Sequence, residues 1–442
     1  MPVAQRQVEL RHQLLDRLAE ARANTDQLFS IVKAEALYDR PIPERHRIIF
    51  YIGHLEAFDW NLLRERALSL GSFHPDFDKL FAFGIDPLGG GLPTDQPSDW
   101  PTMDALRDYV AELRQTLDDA LEDQLSDAQP GHEDLTLLLQ VAIEHRLMHA
   151  ETLAYMLHQL PIGRKVRPNA GPEGVATPVQ PDMVRIPVGR ITLGLSRSDS
   201  NAFGWDNEFE AHTVEVPAFS IDRHPVTNQE FLAFMEAGGY DTEKFWSKND
   251  WTWKTAAGVG HPGFWLKGDN QWHQRTMFSD VRLPMDWPVY VSQAEASAYA
   301  QWAGKGLPTE AQWQRAAYGT PEGAERQFPW GSEPPSSKRG NFDFQRWDPT
   351  PVGSFPEGAS AFGVTDLTGN GWEWTSTPFG PFPGFEPFPF YRGYSADFFD
   401  NKHFVMKGGS PRTAACMLRR SFRNWFQSHY PYVYAGFRCV SH

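Results

Sequence analysis

The 442-residue chain holds only two cysteines, Cys416 and Cys439. No disulfide framework can staple it, and two buried free thiols in a reducing compartment are expected, a single bridge between them being the alternative. Long apolar runs are missing as well. No stretch of 18 apolar residues occurs, which removes a membrane-spanning helix. The first twenty residues carry charge throughout and lack the apolar segment of a secretory signal, so a cytoplasmic protein is expected. Basic residues are the minority: 41 Lys and Arg stand against 56 Asp and Glu, a formal net charge of -15. Nucleic acid and anionic membrane are therefore poor partners, because phosphate-binding surfaces need the opposite excess. No internal repeat or low-complexity tract stands out.

What the chain does have is length and aromatics. A chain of this size exceeds one ordinary core, and two domains are the simplest division. Its 16 Trp and 31 Phe fall mostly beyond residue 200, and aromatics fill cores before they bind ligands. Residues 1–162 read as a four-helix bundle. Val8, Leu15, Leu18 and Ala19 recur at helical spacing, then Ile48, Ile49, Ile52, Leu55, Leu62 and Leu63, and finally Leu135 through Leu160. Pro41 and Pro43 precede the second helix, Pro101-Thr102 with Asp104 opens the third, and Gly131 precedes the fourth. Between the second and third, Gly71 to Trp100 reads as a long irregular loop, with Pro75, Pro87, Gly89 to Gly91, Pro93 and Pro97. Residues 163–181 are Pro/Gly-rich and read as a linker. From 182 to 442 the pattern becomes α+β. Strand-like runs at Met183–Ile186, Ile191–Leu193 and His212–Val216 alternate with helix-like pieces near 227–237 and 292–303 and with loops rich in Trp, Gly and Pro.

The segment Glu144-His145-Arg146-Leu147-Met148-His149-Ala150-Glu151-Thr152 places two imidazoles four residues apart, on one face of a helix. That is metal-ligand spacing. A zinc protease would need H-E-x-x-H with the glutamate as general base, and Arg146 fills that slot, so hydrolytic chemistry is not built in. On its own the pair also fits two polar residues on a partly solvated face. His158 lies nine residues past His149, half a turn out of phase.

Five ordered motifs lie in the second half: Ile221-Asp222-Arg223-His224-Pro225-Val226-Thr227-Asn228, Leu307-Pro308-Thr309-Glu310-Ala311-Gln312-Trp313, Gly369-Asn370-Gly371-Trp372-Glu373-Trp374, Lys407-Gly408-Gly409-Ser410 and Ala435-Gly436-Phe437-Arg438-Cys439. Together they resemble the formylglycine-generating-enzyme domain, a variant of the C-type-lectin fold. Sulfatase modification does not follow, because Met417 to Asn424 does not reproduce that family's redox-cysteine motif, and fold is not function. In the first half, Tyr51-Ile52-Gly53-His54-Leu55-Glu56 and His145 through Thr152 resemble the DinB-like bundle. The two together resemble the ergothioneine-type sulfoxide synthases. That resemblance implies a non-haem Fe(II) held by His54, His145 and His149, O2 as co-substrate, and hercynine, the trimethylated form of histidine, as acceptor. Three neutral imidazoles leave open positions on Fe(II) for dioxygen and a thiolate or selenolate. It also implies that Arg423-Asn424-Trp425 contributes to the acceptor site, with Asn424 and Trp425 holding the trimethylammonium and carboxylate, since a quaternary ammonium is held by aromatic faces and amide dipoles.

Three departures from the family pattern bear on the donor and the mechanism. Members using γ-glutamylcysteine have Asp after Asn-Trp and arginines that clamp the donor's carboxylates; here Phe426 follows, then Gln427, and Ala67 to Leu106 contains no arginine. Met148 stands where a glutamine touches the hercynine ring, and a thioether cannot donate that hydrogen bond. The Pro-rich segment expected to bring a proton-donating tyrosine reads Phe379-Gly380-Pro381-Phe382-Pro383-Gly384-Phe385, which leaves Tyr391 and Tyr394 as the candidates. Phe382 joins Met148, Asn424, Trp425, Phe426 and Gln427 in the expected substrate set. A neutral donor needs no arginine clamp, and the related selenoneine synthases join hercynine to a selenosugar; cysteine is the thiol alternative. Two other readings stay open: a zinc-dependent DinB-type thiol transferase, and a ligand-binding module whose histidines are structural.

Overall fold

The structure is a computed structural model that describes residues 3–84, 92–126, 135–168, 181–199, 202–269 and 271–441. Pro87, Gly89 to Gly91, Gly131 and most of the linker lie outside the described residues, as does the side chain of Val8. The chain divides into two compact units, Met1–Asn169 and Ala170–His442. Among the described residues no helix is long and apolar enough to cross a membrane.

The first unit is built on α1 (Val3–Ser30), α2 (Ile48–Leu63), α3 (Pro75–Phe83), α4 (Met103–Ser126) and α5 (Leu135–Gln159). On α4 the buried positions Leu106, Tyr109, Leu113, Leu117 and Leu121 make a single stripe, the pattern of a helix with one face to water. α5 is different. It is buried on nearly every side from Leu138 to His158, so it is the central rod against which α1 and α2 pack. α1 corrects the expected phase: its buried face is Leu14, Leu18, Ala21, Thr25 and Leu28, with Ala19 exposed. Helical spacing alone fits two registers about 100° apart, and packing selects one.

The expected loop from Gly71 to Trp100 also needs correction, because it contains α3. Pro75 occupies the first turn, where its missing N–H is not needed; the His74 ring accepts a hydrogen bond from the Phe77 amide, and Asp76 and Asp78 meet the positive end of the helix. Proline here opens a helix.

The second unit is α+β. Its strands are β1 (Met183–Ile186), β2 (Gly189–Leu193), β3 (His212–Val216), β4 (Phe219–Asp222), β5 (Trp265–Lys267), β6 (Trp272–Arg275), β7 (Asp280–Arg282), β8 (Trp372–Pro378), β9 (His403–Lys407), β10 (Asn424–Gln427), β11 (Ala435–Gly436) and β12 (Val440–Ser441). They form four small sheets, ordered β1-β4-β12, β10-β9-β8-β11, β2-β3 and β5-β6-β7. Helices α6 (Asn228–Glu236), α7 (Lys248–Ala257), α8 (Gln293–Trp302) and α9 (Glu310–Tyr318) complete it. The sequence reading located α6 and α8 and overlooked α7 and α9. α9 begins with a capping box, Thr309 Oγ1 accepting from the Gln312 amide and Gln312 Oε1 from that of Thr309.

The five motifs meet at one buried ion pair. Arg438 donates to both oxygens of Glu373 (2.6 and 2.7 Å) and to the carbonyls of Asp222 and Arg223; Trp313 Nε1 donates to the same carboxylate (2.7 Å). Glu373 faces Lys407 across β8 and β9. The motifs are thus the structural centre of this unit. Cys439 is buried and Cys416 is partly exposed, and neither forms a disulfide; the expected burial holds for Cys439 alone. Replacing Arg438 with Met leaves a buried carboxylate unpaired. A loss of about 3–5 kcal/mol is expected for this unit, read as a lower urea midpoint of its transition, with little change in the bundle.

Candidate metal centre

His145 and His149 leave α5 on one face, and His54 meets them from α2. Ring centroids are 4.5 Å apart for His145–His149, 5.0 Å for His54–His149 and 5.3 Å for His54–His145. One ring nitrogen from each lies within 4.8 Å of the others. An ion bound at about 2.1 Å to each needs nitrogens roughly 3.0–3.5 Å apart, so binding one requires the rings to close inward.

The surroundings explain why the rings stand this close. Phe58 stacks on His145 at 3.4 Å and Phe50 on His54 at 4.7 Å, so each ring has one face fixed. His54 Nδ1 donates to the carbonyl oxygen of Phe81 (2.7 Å), which fixes the tautomer and leaves Nε2 for an ion. That bond depends on Gly53. A Cβ there would sit 2.3 Å from the buried Phe81 ring, so only glycine lets α3 approach α2 this closely. His149 Nδ1 is buried with no hydrogen-bond partner among the described residues, a vacancy that an ion relieves.

All three imidazoles are held neutral. Burial pushes His54 down from 6.5 to about 4, against the Phe81 hydrogen bond, with the His46 and Arg146 charges adding to the depression. His145 and His149 fall well below the usual range, again chiefly by burial, then for His145 by the His149 and His54 charges and for His149 by the His54 and Arg45 charges. Neutral imidazole is the form that binds metal. Zinc-protease chemistry has no base here, because Arg146 is fully buried against Glu56 and Asp59.

In the second unit, Trp425 stacks on Phe379 (4.1 Å, 5° between planes) and meets Tyr394 edge-on at 5.4 Å. Tyr394 is buried on Trp205, with Tyr391 5.5 Å away. Trp425, Tyr391 and Tyr394 therefore share one aromatic cluster. Phe382 does not join it directly: it packs under the Arg423 guanidinium (4.0 Å) and against His212. Strand alternation sends Phe426 to the face opposite Trp425, where it stacks on Tyr430, and Gln427 is exposed. Asn424 Oδ1 accepts the Trp425 amide (2.8 Å). Met148 is partly exposed on α5, one position before His149. Sequence reasoning overlooked Gly53, Phe50, Phe58 and the Phe81 carbonyl; Gly53 beside His54 was the available signal.

Residues 170–442 match the family model for a sulfatase-modifying factor enzyme 1-like domain, and residues 17–153 match the DinB superfamily. The chain is 36% identical to the hercynine oxygenase of Mycolicibacterium smegmatis, over 97% of this chain and 98% of that one. It is 29% identical to ergothioneine biosynthesis protein 1 of Neurospora crassa, over 92% of this chain and 55% of that protein. The formylglycine-generating enzyme of Mycobacterium tuberculosis matches 47% of the chain at 34% identity. Fold and relatives define a two-domain oxidoreductase, a DinB-like bundle joined to a formylglycine-generating-enzyme-like domain. The chain belongs to the hercynine oxygenase family.

Two outcomes follow. Gly53→Ala forces Phe81 away, with an expected loss of about 1–3 kcal/mol and a 10–100-fold weaker metal affinity, measured by thermal melting and metal titration. For the metal-free protein, His54 binds its proton less readily folded than unfolded. Stability is full above about 6.5 and falls as pH drops towards 4, by ~2–3 kcal/mol from His54 alone, measured as urea midpoints against pH.

Proposed function

We propose that this chain is an iron(II)- and O2-dependent enzyme that forms a carbon–selenium or carbon–sulfur bond at the imidazole ring of hercynine, with a selenosugar as preferred donor. The names of the relatives, hercynine oxygenase and ergothioneine biosynthesis protein 1, support hercynine as acceptor and a sulfoxide-synthase type of reaction. His54, His145 and His149 fit the metal. When bound, Fe(II) supplies open positions at which O2 and a chalcogen donor react together.

The donor choice rests on one observation: every arginine in the segment before Asn424 is already paired. Arg419 binds Glu208 (2.5 and 2.8 Å), Arg420 binds Glu325 (2.6 Å), and Arg423 binds Glu310 (2.9 and 3.1 Å). With none between Ala67 and Leu106, these two segments offer a dipeptide donor's carboxylates no uncommitted guanidinium. A neutral sugar needs none.

The remaining residues take roles that suit their surroundings. Trp425, held rigid by Phe379, is the aromatic surface for the trimethylammonium, with Asn424, whose Oδ1 accepts the Trp425 amide, beside it. Phe382 acts from behind, through Arg423. Tyr391, pushed up to about 12 by burial and by the Asp206 charge, keeps its hydroxyl proton at neutral pH, as a proton donor must; Tyr394 fixes its ring and that of Trp425.

The test is an aerobic assay of the Fe(II)-loaded protein with hercynine, offering a selenosugar, cysteine and γ-glutamylcysteine in parallel. The selenosugar should give the hercynine adduct with the highest kcat/KM, at least tenfold above γ-glutamylcysteine. Equal or better turnover of γ-glutamylcysteine overturns the donor choice. No adduct from any donor, or full turnover without oxygen, overturns the reaction.

A further inference from the structure

Two ligands on one helix need no help to stay in register, whereas the third comes from another helix. His145 and His149 are locked together by the α5 backbone, so the geometry of the centre turns on where α2 lies along α5. A slip of one residue moves a side chain by about 1.5 Å along the axis and 100° around it, so the centre needs α2 and α5 held in one register. Directional polar contacts add to packing in setting it.

Arg146 supplies them, and we propose that it is the positioning residue of the metal centre. It follows His145 directly, is 0% exposed, and reaches across to α2 at three points. Nη2 and Nε donate to Asp59 Oδ2 (2.6 and 3.2 Å), Nη1 donates to Glu56 Oε1 (2.8 Å), and Nη2 also donates to the Leu55 carbonyl (3.0 Å). Those three residues lie one, two and five positions beyond His54. A fourth contact, Nη1 to Thr25 Oγ1 (3.3 Å), ties in α1. The grip is braced from behind, since Arg114 donates to Glu56 Oε1 (2.7 Å) and binds Asp26, and Arg22 binds Asp118.

Stability alone does not account for this arrangement. A buried ion pair contributes little net stability relative to well-packed apolar residues, because desolvation offsets the attraction; its distinctive effect is to specify one geometry among several. A planar fork with fixed donor directions specifies register in a way that a point charge on a flexible stem does not. The residue at the position of a protease's general base thus acts on the metal through α2. It is a positioning residue and touches no reacting atom.

The test uses Co(II) alone as probe, with affinity from titration and geometry from the visible absorption bands, on the full chain. Wild-type protein should bind one Co(II) per chain. Arg146→Lys keeps the charge and loses the fork; its Co(II) affinity should drop 10–100-fold, with shifted or broadened bands. Asp59→Asn keeps the shape and loses one ion pair; a smaller drop, about 3–10-fold, is expected at a temperature where its far-UV spectrum matches wild type. It carries the test if the Arg146 variant does not fold. Wild-type Co(II) affinity and bands in either folded variant overturn the proposal and leave the reaction untouched. No adduct in the hercynine assay from a wild-type chain that binds Co(II) overturns the reaction and leaves this proposal standing. Wild-type protein that binds no Co(II) overturns this proposal.

Discussion

A buried guanidinium gripping carboxylates on a neighbouring element is the interaction on which both units depend. In the second unit Arg438 holds Glu373, and through that pair the strand β8, the helix α9 and the turn after β4 share one anchor. In the first unit Arg146 holds Glu56 and Asp59. The charged groups are fully desolvated in each case, so removing one partner leaves an uncompensated charge where water cannot reach. Apolar packing lies around these pairs, but it is less directional than they are. The ion pairs add fixed donor and acceptor directions to it.

The metal centre meets the opposite electrostatic demand. Three imidazoles face one another with no carboxylate in the group among the described residues, and burial keeps all three uncharged. The bundle accomplishes this with aromatic rings. Phe50 and Phe58 cover ring faces without offering a charge, and the Phe81 carbonyl orients one ring by a neutral hydrogen bond. The three rings are therefore close together and uncharged, the state that the proposed cation site requires.

The sequence disclosed the parts of this design that follow a period. His145 and His149 at i and i+4 on an apolar helix were legible, as were α2, α4, α5, β1 and β3, because spacing alone carries them. The family motifs were legible for another reason: a buried pair such as Arg438–Glu373 tolerates few substitutes, so its neighbours form recognisable phrases. Hidden were the features set by contact between distant segments. α3 was concealed by Pro75, since proline marks a loop and a first helical turn alike. The phase of α1 was concealed because Leu14 and Leu15 are equally apolar and only α5 distinguishes them. The division of Trp425 and Phe426 between opposite faces of β10 could be read only once the strand itself was known.

The pairing of Arg419, Arg420 and Arg423 with Glu208, Glu325 and Glu310 bears on how such a site could change hands between substrates. Positive charge is abundant next to Asn424, yet it is committed elsewhere. With the neutral donor proposed above, a change to an anionic one calls for subtraction before addition: Glu325, partly exposed and opposite Arg420, would have to go first, and Thr192, whose amide and hydroxyl both lean on that carboxylate, would have to be rehoused. A laboratory lineage selected for such a switch would be expected to pass through loop-repacking substitutions around β2 well before any new arginine appeared.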